Sequence, residues 1–176
     1  FAWLALFSQT ALAKFESQTP LESFSKSKRT SLSYTYTAEG HRTGISGTAL
    51  GWSAGVETTS LVVDPTGAMS KVLSRTKNGV TTRYVYGAGL QYEVTNSGTA
   101  TYYHFDQSGH TAGLSNASGA LIDRILYSPY GSIRFRQGTF DTPFLYGGFF
   151  GIMTDGNGLL QMRARYYNPS TMRFIN

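Results

Sequence analysis

The residues that could do chemistry are few and mostly far apart. The chain has no cysteine, which removes thiol catalysis, disulfides and thiolate metal ligands together. Its three histidines are His41, His104 and His110. The last two flank Asp106, so a zinc site would require those three side chains to converge. Rings on strand surfaces are the simpler reading, and no catalytic, metal or cofactor residue is assigned. The ten carboxylates are dispersed. Asp155 falls in a glycine-rich turn and Asp123 falls mid-strand beside Arg124, so turn and surface roles suit them better than a paired-carboxylate site. Ser, His and Asp all occur, yet no nucleophile elbow is expected, nor a phosphate or dinucleotide loop. Arg163 and Arg165 should share one strand face with Gln161 and Tyr167, opposite Leu160, Met162, Ala164 and Tyr166. Arg134 and Arg136 form a similar pair opposite Ile133 and Phe135. Such faces could meet cargo or an anionic ligand, but a solvated sheet face accounts for them. Asn116-Ala117-Ser118 spells a glycosylation sequon that doubles as a hairpin turn.

The elements that position these residues are read from a recurring turn. Tyr36-Thr37-Ala38-Glu39-Gly40 returns as Val63-Asp64-Pro65-Thr66-Gly67, Phe105-Asp106-Gln107-Ser108-Gly109 and Tyr127-Ser128-Pro129-Tyr130-Gly131, with a shorter copy at Tyr86-Gly87-Ala88-Gly89. The spacing of 20 to 27 residues between these glycines marks a repeat architecture. A second family of turns, Asn78-Gly79, Asn96-Ser97-Gly98 and Asn116-Ala117-Ser118-Gly119, falls between them. Interleaved from Gly67 to Gly131, the glycines lie 9 to 12 residues apart. That is the rhythm of consecutive β-hairpins with strands of about six to eight residues. Asp at the head of a turn accepts backbone N–H groups and Gly takes positive φ, so Asp64, Gly67, Asp106, Gly109 and Gly131 are structural turn residues. Alternation places Tyr84 with Tyr86, Tyr103 with Phe105 and Ile125 with Tyr127 on common faces. These pairs are expected to stack from repeat to repeat.

The last third carries a longer signature. Phe144-Leu145-Tyr146-Gly147-Gly148-Phe149-Phe150 is followed by Asp155-Gly156-Asn157-Gly158-Leu159-Leu160-Gln161-Met162-Arg163-Ala164-Arg165-Tyr166-Tyr167-Asn168-Pro169 and then Arg173-Phe174. With Tyr103-His104-Phe105-Asp106-Gln107-Ser108-Gly109, these residues resemble the YD repeat and repeat-associated core of the rearrangement-hotspot (Rhs) family. The core likeness covers about residues 99–174, with weaker repeats back to about residue 32. The resemblance implies an all-β fold in which consecutive antiparallel hairpins join into a curved or spiralling sheet, part of a β-shell. It gives structural roles in the core motif to Arg163, Arg165, Tyr166, Tyr167, Pro169, Arg173 and Phe174. It also implies an aspartyl self-cleavage activity and a variable C-terminal cargo in toxin-bearing members, both expected beyond Asn176. Asn168 departs from the Asp that the family usually has before Pro169. Thr37 and Ser128 replace the main-turn Asp and should make the same bonds more weakly.

Composition is compatible with this reading. Hydrophobic residues make up 40% and charged residues 14%, which excludes a disordered chain. Twenty glycines and 23 Tyr plus Phe favour strands and tight turns. The net charge of +5 is scattered, with one cluster at Lys26, Lys28 and Arg29, which argues against nucleic acid as partner. The uncharged start, with its apolar run Phe1 to Phe7 and Ala11-Leu12-Ala13, reads as a signal-peptide remnant too short to span a bilayer. The expected organisation is a remnant at 1–13, a flexible Ser/Lys-rich segment at 14–31, degenerate repeats at 32–98 and the core region at 99–176. The expected role is a non-catalytic wall segment of an exported, secreted or cell-surface bacterial protein without cofactor. Its partners would be further repeats of its own chain or an encapsulated C-terminal polypeptide. A fragment of an autoproteolytic toxin carrier and a surface module binding cell-surface glycans are the alternatives.

Overall fold

The computed structural model describes residues 31–49, 55–66 and 70–175. The expectations for 1–13, for nearly all of 14–31 and for Gly67 lie outside those residues. Ten strands form one antiparallel sheet in which order in space is order in sequence. They are β1 (Ser31–Tyr36), β2 (Arg42–Ala49), β3 (Gly55–Asp64), β4 (Lys71–Lys77), β5 (Val80–Tyr86), β6 (Leu90–Thr95), β7 (Ala100–Phe105), β8 (Thr111–Asn116), β9 (Leu121–Tyr127) and β10 (Ile133–Gln137). The all-β hairpin series read from the glycines is therefore the fold of the chain. No helix among the described residues is long and apolar enough to cross a membrane.

One turn geometry recurs along the edge where the main turns lie. The side chains of Thr37, Asp106 and Ser128 accept the N–H four residues on, at 3.2, 2.9 and 3.1 Å. Gly40, Gly109 and Gly131 donate to the backbone carbonyls of those same residues at 3.0 Å. The hydroxyls of Thr37 and Ser128 thus replace the carboxylate of Asp106 at the N–H four residues on, at slightly greater length, while Asp106 also accepts the Ser108 N–H at 2.9 Å. A bulge precedes the turns at Gly40, Gly89 and Gly109, at Thr35/Tyr36, Val85/Tyr86 and His104/Phe105, another lies at Val62/Val63, and one follows the Gly131 turn at Ile133/Phe135. Bulges raise the local twist and re-aim the residue that follows.

Pairing register sets one face of the sheet. Tyr84 lies opposite Glu93, Glu93 opposite Thr101, Tyr103 opposite Leu114 and Leu114 opposite Asp123, and all of these are buried. The expected ring-on-ring stack between repeats is not formed. Tyr84 and Tyr103 are two strand spacings apart, about 10 Å, and Glu93 stands between them. The rings are bridged instead by a strap, residues 138–152, which leaves β10 and runs back over this face. Phe144 meets Tyr84 edge-on at 4.8 Å, Phe149 meets Phe105 at 5.3 Å and Tyr146 meets Tyr127 at 5.6 Å. The strap contains a single 3₁₀ turn, Gly148–Phe150. It leads into a small antiparallel sheet of β11 (Met153–Thr154), β12 (Leu160–Met162), β13 (Arg165–Asn168) and β14 (Arg173–Ile175).

The two turn families serve different ends. A Cβ at Gly79, Gly98 or Gly119 would meet nothing within 4 Å, so these glycines answer only to their φ of 82–84. A Cβ at Gly89 would lie 2.5 Å from the Phe149 ring, at Gly109 2.6 Å from Phe150 and at Gly131 3.1 Å from Tyr146. The main-turn glycines Gly89, Gly109 and Gly131 are seats for the strap.

Gly98→Ala should cost about 1–2 kcal/mol, the penalty of a left-handed residue in open space. Gly89→Ala should cost about 1–3 kcal/mol by overpacking against Phe149. In a double-mutant cycle read by urea denaturation, Phe149→Ala should absorb much of the Gly89→Ala cost and none of the Gly98→Ala cost. Additive losses for Gly89 and Phe149 would contradict the seat.

Candidate functional site

The covered face carries more charge than an ordinary sheet interior, and it is answered in three places, two by the strap and one by the small sheet and its first turn. Nearest the strap's origin, the Asp123 carboxylate accepts from Arg136 Nη2 at 2.6 Å and from Nε at 3.0 Å, with both side chains almost fully buried. The backbone N–H of Phe140 adds a further bond at 3.2 Å. In the middle, Arg75 Nη2 donates to both the Asp141 carbonyl and its carboxylate at 3.0 Å, and Lys77 reaches the same carboxylate at 3.1 Å. Beside them the Tyr103 hydroxyl donates to the buried Glu93 carboxylate and lies 2.5 Å from Thr142 Oγ1. At the far end, Arg42 Nη1 contacts both oxygens of Asp155 at 2.7 and 2.9 Å, and donates to the Tyr166 hydroxyl at 3.2 Å. Tyr166 and Tyr36 hydroxyls lie 2.8 Å apart, and the Tyr34 ring packs on Tyr166 at 5.4 Å. This last cluster fastens the small sheet to β1 and β2, more than a hundred residues earlier in the chain.

Asp155 does head a glycine turn, with the Gly158 N–H on its carbonyl at 2.8 Å, but the expected surface role of Asp123 and Asp155 is corrected. Both are interior carboxylates, because the strap and the small sheet bury the face on which their partners stand. The expected single strand from Gln161 to Tyr167 is also corrected. Met162 pairs with Arg165 across a turn at Arg163 and Ala164, with Arg163 at φ 58. Arg163 and Arg165 therefore do not share a strand face. Arg163 Nη2 donates to the Phe150 carbonyl at 2.9 Å, and the Arg165 guanidinium lies 4.0 Å over the Phe174 ring. The Arg134/Arg136 alternation fails at the bulge in β10, which turns Arg136 inward to Asp123. The Gly-x-Ser-x-Gly spelling does occur, at Gly51-Trp52-Ser53-Ala54-Gly55. It lies between the antiparallel strands β2 and β3 and mostly outside the described residues, whereas a nucleophile elbow joins a strand to a helix.

The remaining expected residues fall in structural positions. Asp64 Oδ1 accepts from the Thr66 N–H at 2.9 Å and its hydroxyl at 2.6 Å, bonds that hold the Asp64 carboxyl below its usual range. Tyr167 meets Phe174 edge-on at 5.3 Å, Arg173 pairs with Asn168 in β14, and the Pro169 carbonyl accepts from Ser132. Asn168 accepts the Ser170 N–H at 2.9 Å. His104 bonds Ser115 Oγ at 2.8 Å. His110 stacks on Tyr146 at 3.8 Å and its Nδ1 accepts the Gly147 N–H at 3.0 Å. Burial keeps that imidazole below its usual range, in keeping with an acceptor role. Among the described residues no group of three or more His, Asp or Glu side chains is arranged to hold a metal ion.

The fold of the chain has counterparts among solved structures. The chain aligns with a chain of the TcdB2-TccC3 crystal structure at a TM-score of 0.58 and 16% identity, over 81% of its own length. The Photorhabdus luminescens Tc holotoxin pore gives the same score and identity over 78%. At that identity the likeness is one of fold. Among curated sequences, the tRNA3(Ser)-specific nuclease WapA of Bacillus spizizenii is 27% identical over 103 residues, 56% of this chain. The chain spans only 4% of WapA and 7–8% of the two solved chains. No family model matches it.

Burial raises the Glu93 pKa from 4.5 to about 7, against the Tyr103 hydrogen bond and the charge of Arg75. Tyr84, Asp141 and Thr142 are its other polar neighbours. Since the folded value is the higher one, this stabilising contribution is complete below pH 4.5 and is lost as pH rises through about 7, on the order of 3 kcal/mol. Glu93→Gln should flatten that part of the pH–Tm profile in calorimetry; an unchanged slope would refute the assignment. Asp123→Ala strands Arg136 in the interior and should cost about 3–5 kcal/mol, against at most about 1 kcal/mol for Lys77→Ala, whose partner Asp141 is half exposed to water. Equal losses in chemical denaturation would contradict the burial argument.

Proposed function

We propose that this chain is a wall segment of a toxin-associated, Rhs-type bacterial protein, exported and without catalysis of its own. The observation that carries the reading is the unbroken order of ten hairpin-linked strands under a strap seated on the repeat glycines. Such a sheet extends by adding repeats at β1 and β10, each of which pairs with one neighbour only among the described residues. The fold shared with TccC3-containing assemblies and the sequence likeness to WapA support the toxin association. The candidate reactive groups support the non-catalytic part: Asp123, Asp155 and Glu93 are each committed to an internal partner. The further repeats of the longer protein, or a polypeptide enclosed by them, are the partners this role requires.

Open strand edges pair with other chains. The purified chain should self-associate in analytical ultracentrifugation, and Leu32→Lys with Thr35→Pro on β1 should reduce that association. Mass spectrometry after long incubation should find the chain intact, and added tRNA should remain uncut. A stable monomer in dilute solution would sink the wall reading. Discrete self-cleavage would favour the autoproteolytic carrier instead, and cut tRNA would favour a nuclease.

A further inference from the structure

Two contacts fasten the strap to the sheet through a group that titrates near neutral pH, and they demand opposite protonation states. At Thr142 the strap meets Glu93 through the Tyr103 hydroxyl, which donates to the Glu93 carboxylate and lies 2.5 Å from Thr142 Oγ1. Burial favours the neutral acid there. Further along the strap, the Gly147 N–H donates to His110 Nδ1 at 3.0 Å. A backbone amide can only donate, so the ring nitrogen that receives it must be unprotonated.

The His110 ring is enclosed from three sides. It stacks on Tyr146 of the strap at 3.8 Å and meets Tyr127 of β9 edge-on at 5.8 Å. Asp106, on the same turn, is the charged group that faces it. Behind Tyr127 lies the mutually neutralised Asp123–Arg136 pair, and behind Tyr146 lies Tyr167 of β13. Burial holds the imidazole below its usual 6.5, against the charge of Asp106. A protonated ring is drawn to the Tyr146 face. It would also set an Nδ1–H against the Gly147 N–H, and two donors cannot share a 3.0 Å contact.

This contact divides the strap. Before it, Phe144 and Leu145 are locked to β8 by groups that do not titrate. Thr111 Oγ1 donates to the Phe144 carbonyl at 2.7 Å and the Thr111 N–H to the Leu145 carbonyl at 3.0 Å. After it comes the 3₁₀ turn that carries Phe149 and Phe150, bracketed by Gly147 at φ 68 and Gly151 at φ 77. Glycines at both ends can absorb a change of backbone direction. The geometry points to His110 as an acid-released latch: protonation frees Gly147, and the segment from Gly147 to Gly151 lifts Phe149 and Phe150 from Gly89 and Gly109 while Phe144 and Leu145 stay bound. The folded-state value of His110 is the lower one. Its contribution is therefore present above pH 6.5 and lost as pH falls through the folded value, the reverse of Glu93. The latch stands on the described geometry and does not rest on the wall reading.

Hydrogen exchange of the whole chain at about pH 5.5 and about pH 7.5, on either side of the imidazole range and corrected for intrinsic amide rates, tests the latch. The Gly147, Phe149 and Phe150 amides should lose protection about threefold to tenfold at the lower pH, the equilibrium worth of one hydrogen bond. The Phe140, Thr142 and Phe144 amides should keep or gain protection, because Glu93 is then protonated. His110→Asn offers a neutral acceptor near the place of Nδ1 and should remove the acid loss, whereas Glu93→Gln should leave it in place. Should His110→Asn fail to fold, long-range ¹H–¹⁵N spectra of the unaltered chain read the ring directly. Nδ1 should be unprotonated at neutral pH, and the ring should titrate below 6.5. A protonated Nδ1 at neutral pH would overturn the latch. So would an equal loss, or none, in the two halves of the strap, an acid loss that persists in His110→Asn, or one that vanishes in Glu93→Gln.

Discussion

The strap can lie on the sheet only because the main turns present no side chain at Gly89, Gly109 and Gly131. Each glycine admits one ring, and the rings are consecutive or nearly so in a single stretch from Tyr146 to Phe150. Close approach of ring to backbone brings the strap's main chain within hydrogen-bond reach of Thr111, His110 and Gly109. Phe144 and Leu145 are then driven into the sheet face, where Phe144 is fully buried against Tyr84. A side chain at any seat would lift the strap and expose that apolar surface. Packing, backbone bonding and the position of the small sheet all follow from this one clearance.

The charges on the covered face make docking specific as well as tight. Arg75, Glu93, Asp123 and Arg136 are interior only while the strap is in place, and burial of unpaired charge is expensive. Each finds its counterpart at one register of the strap: Asp141 for Arg75, Thr142 beside Glu93, and the Phe140 backbone at the Asp123–Arg136 pair. A strap shifted by one residue would leave several of them without partners. A purely apolar face would tolerate sliding, because dispersion contacts have little direction. Arg42 and Asp155 complete the series by tying the end of the chain's last third to its first hairpin.

Much of this was legible in the order of residues because hairpins are local. Turn, strand and next turn lie within a dozen positions, so glycine spacing and head-of-turn polar residues are enough to place the strands. Val80–Tyr86 could be read off between two turns for that reason. The misreadings share a different origin. Gln161 to Tyr167 alternates well enough to pass for a strand, but pairing between Met162 and Arg165 selects a turn that alternation cannot reveal. Bulges beside the main turns leave no mark in composition, and the one in β10 sends Arg136 inward.

Local residue types therefore settled the architecture: all-β, consecutive, antiparallel, with two distinguishable families of turns. They could not settle what the glycines were for, since positive φ and a missing Cβ are satisfied by the same residue. They could not pair Arg42 with Asp155 across 113 positions, or predict that Asp123 would be an interior anion. Those outcomes depend on where the strap comes to rest. That position is a property of the whole covered face, in which ring clearance and charge matching must be met together.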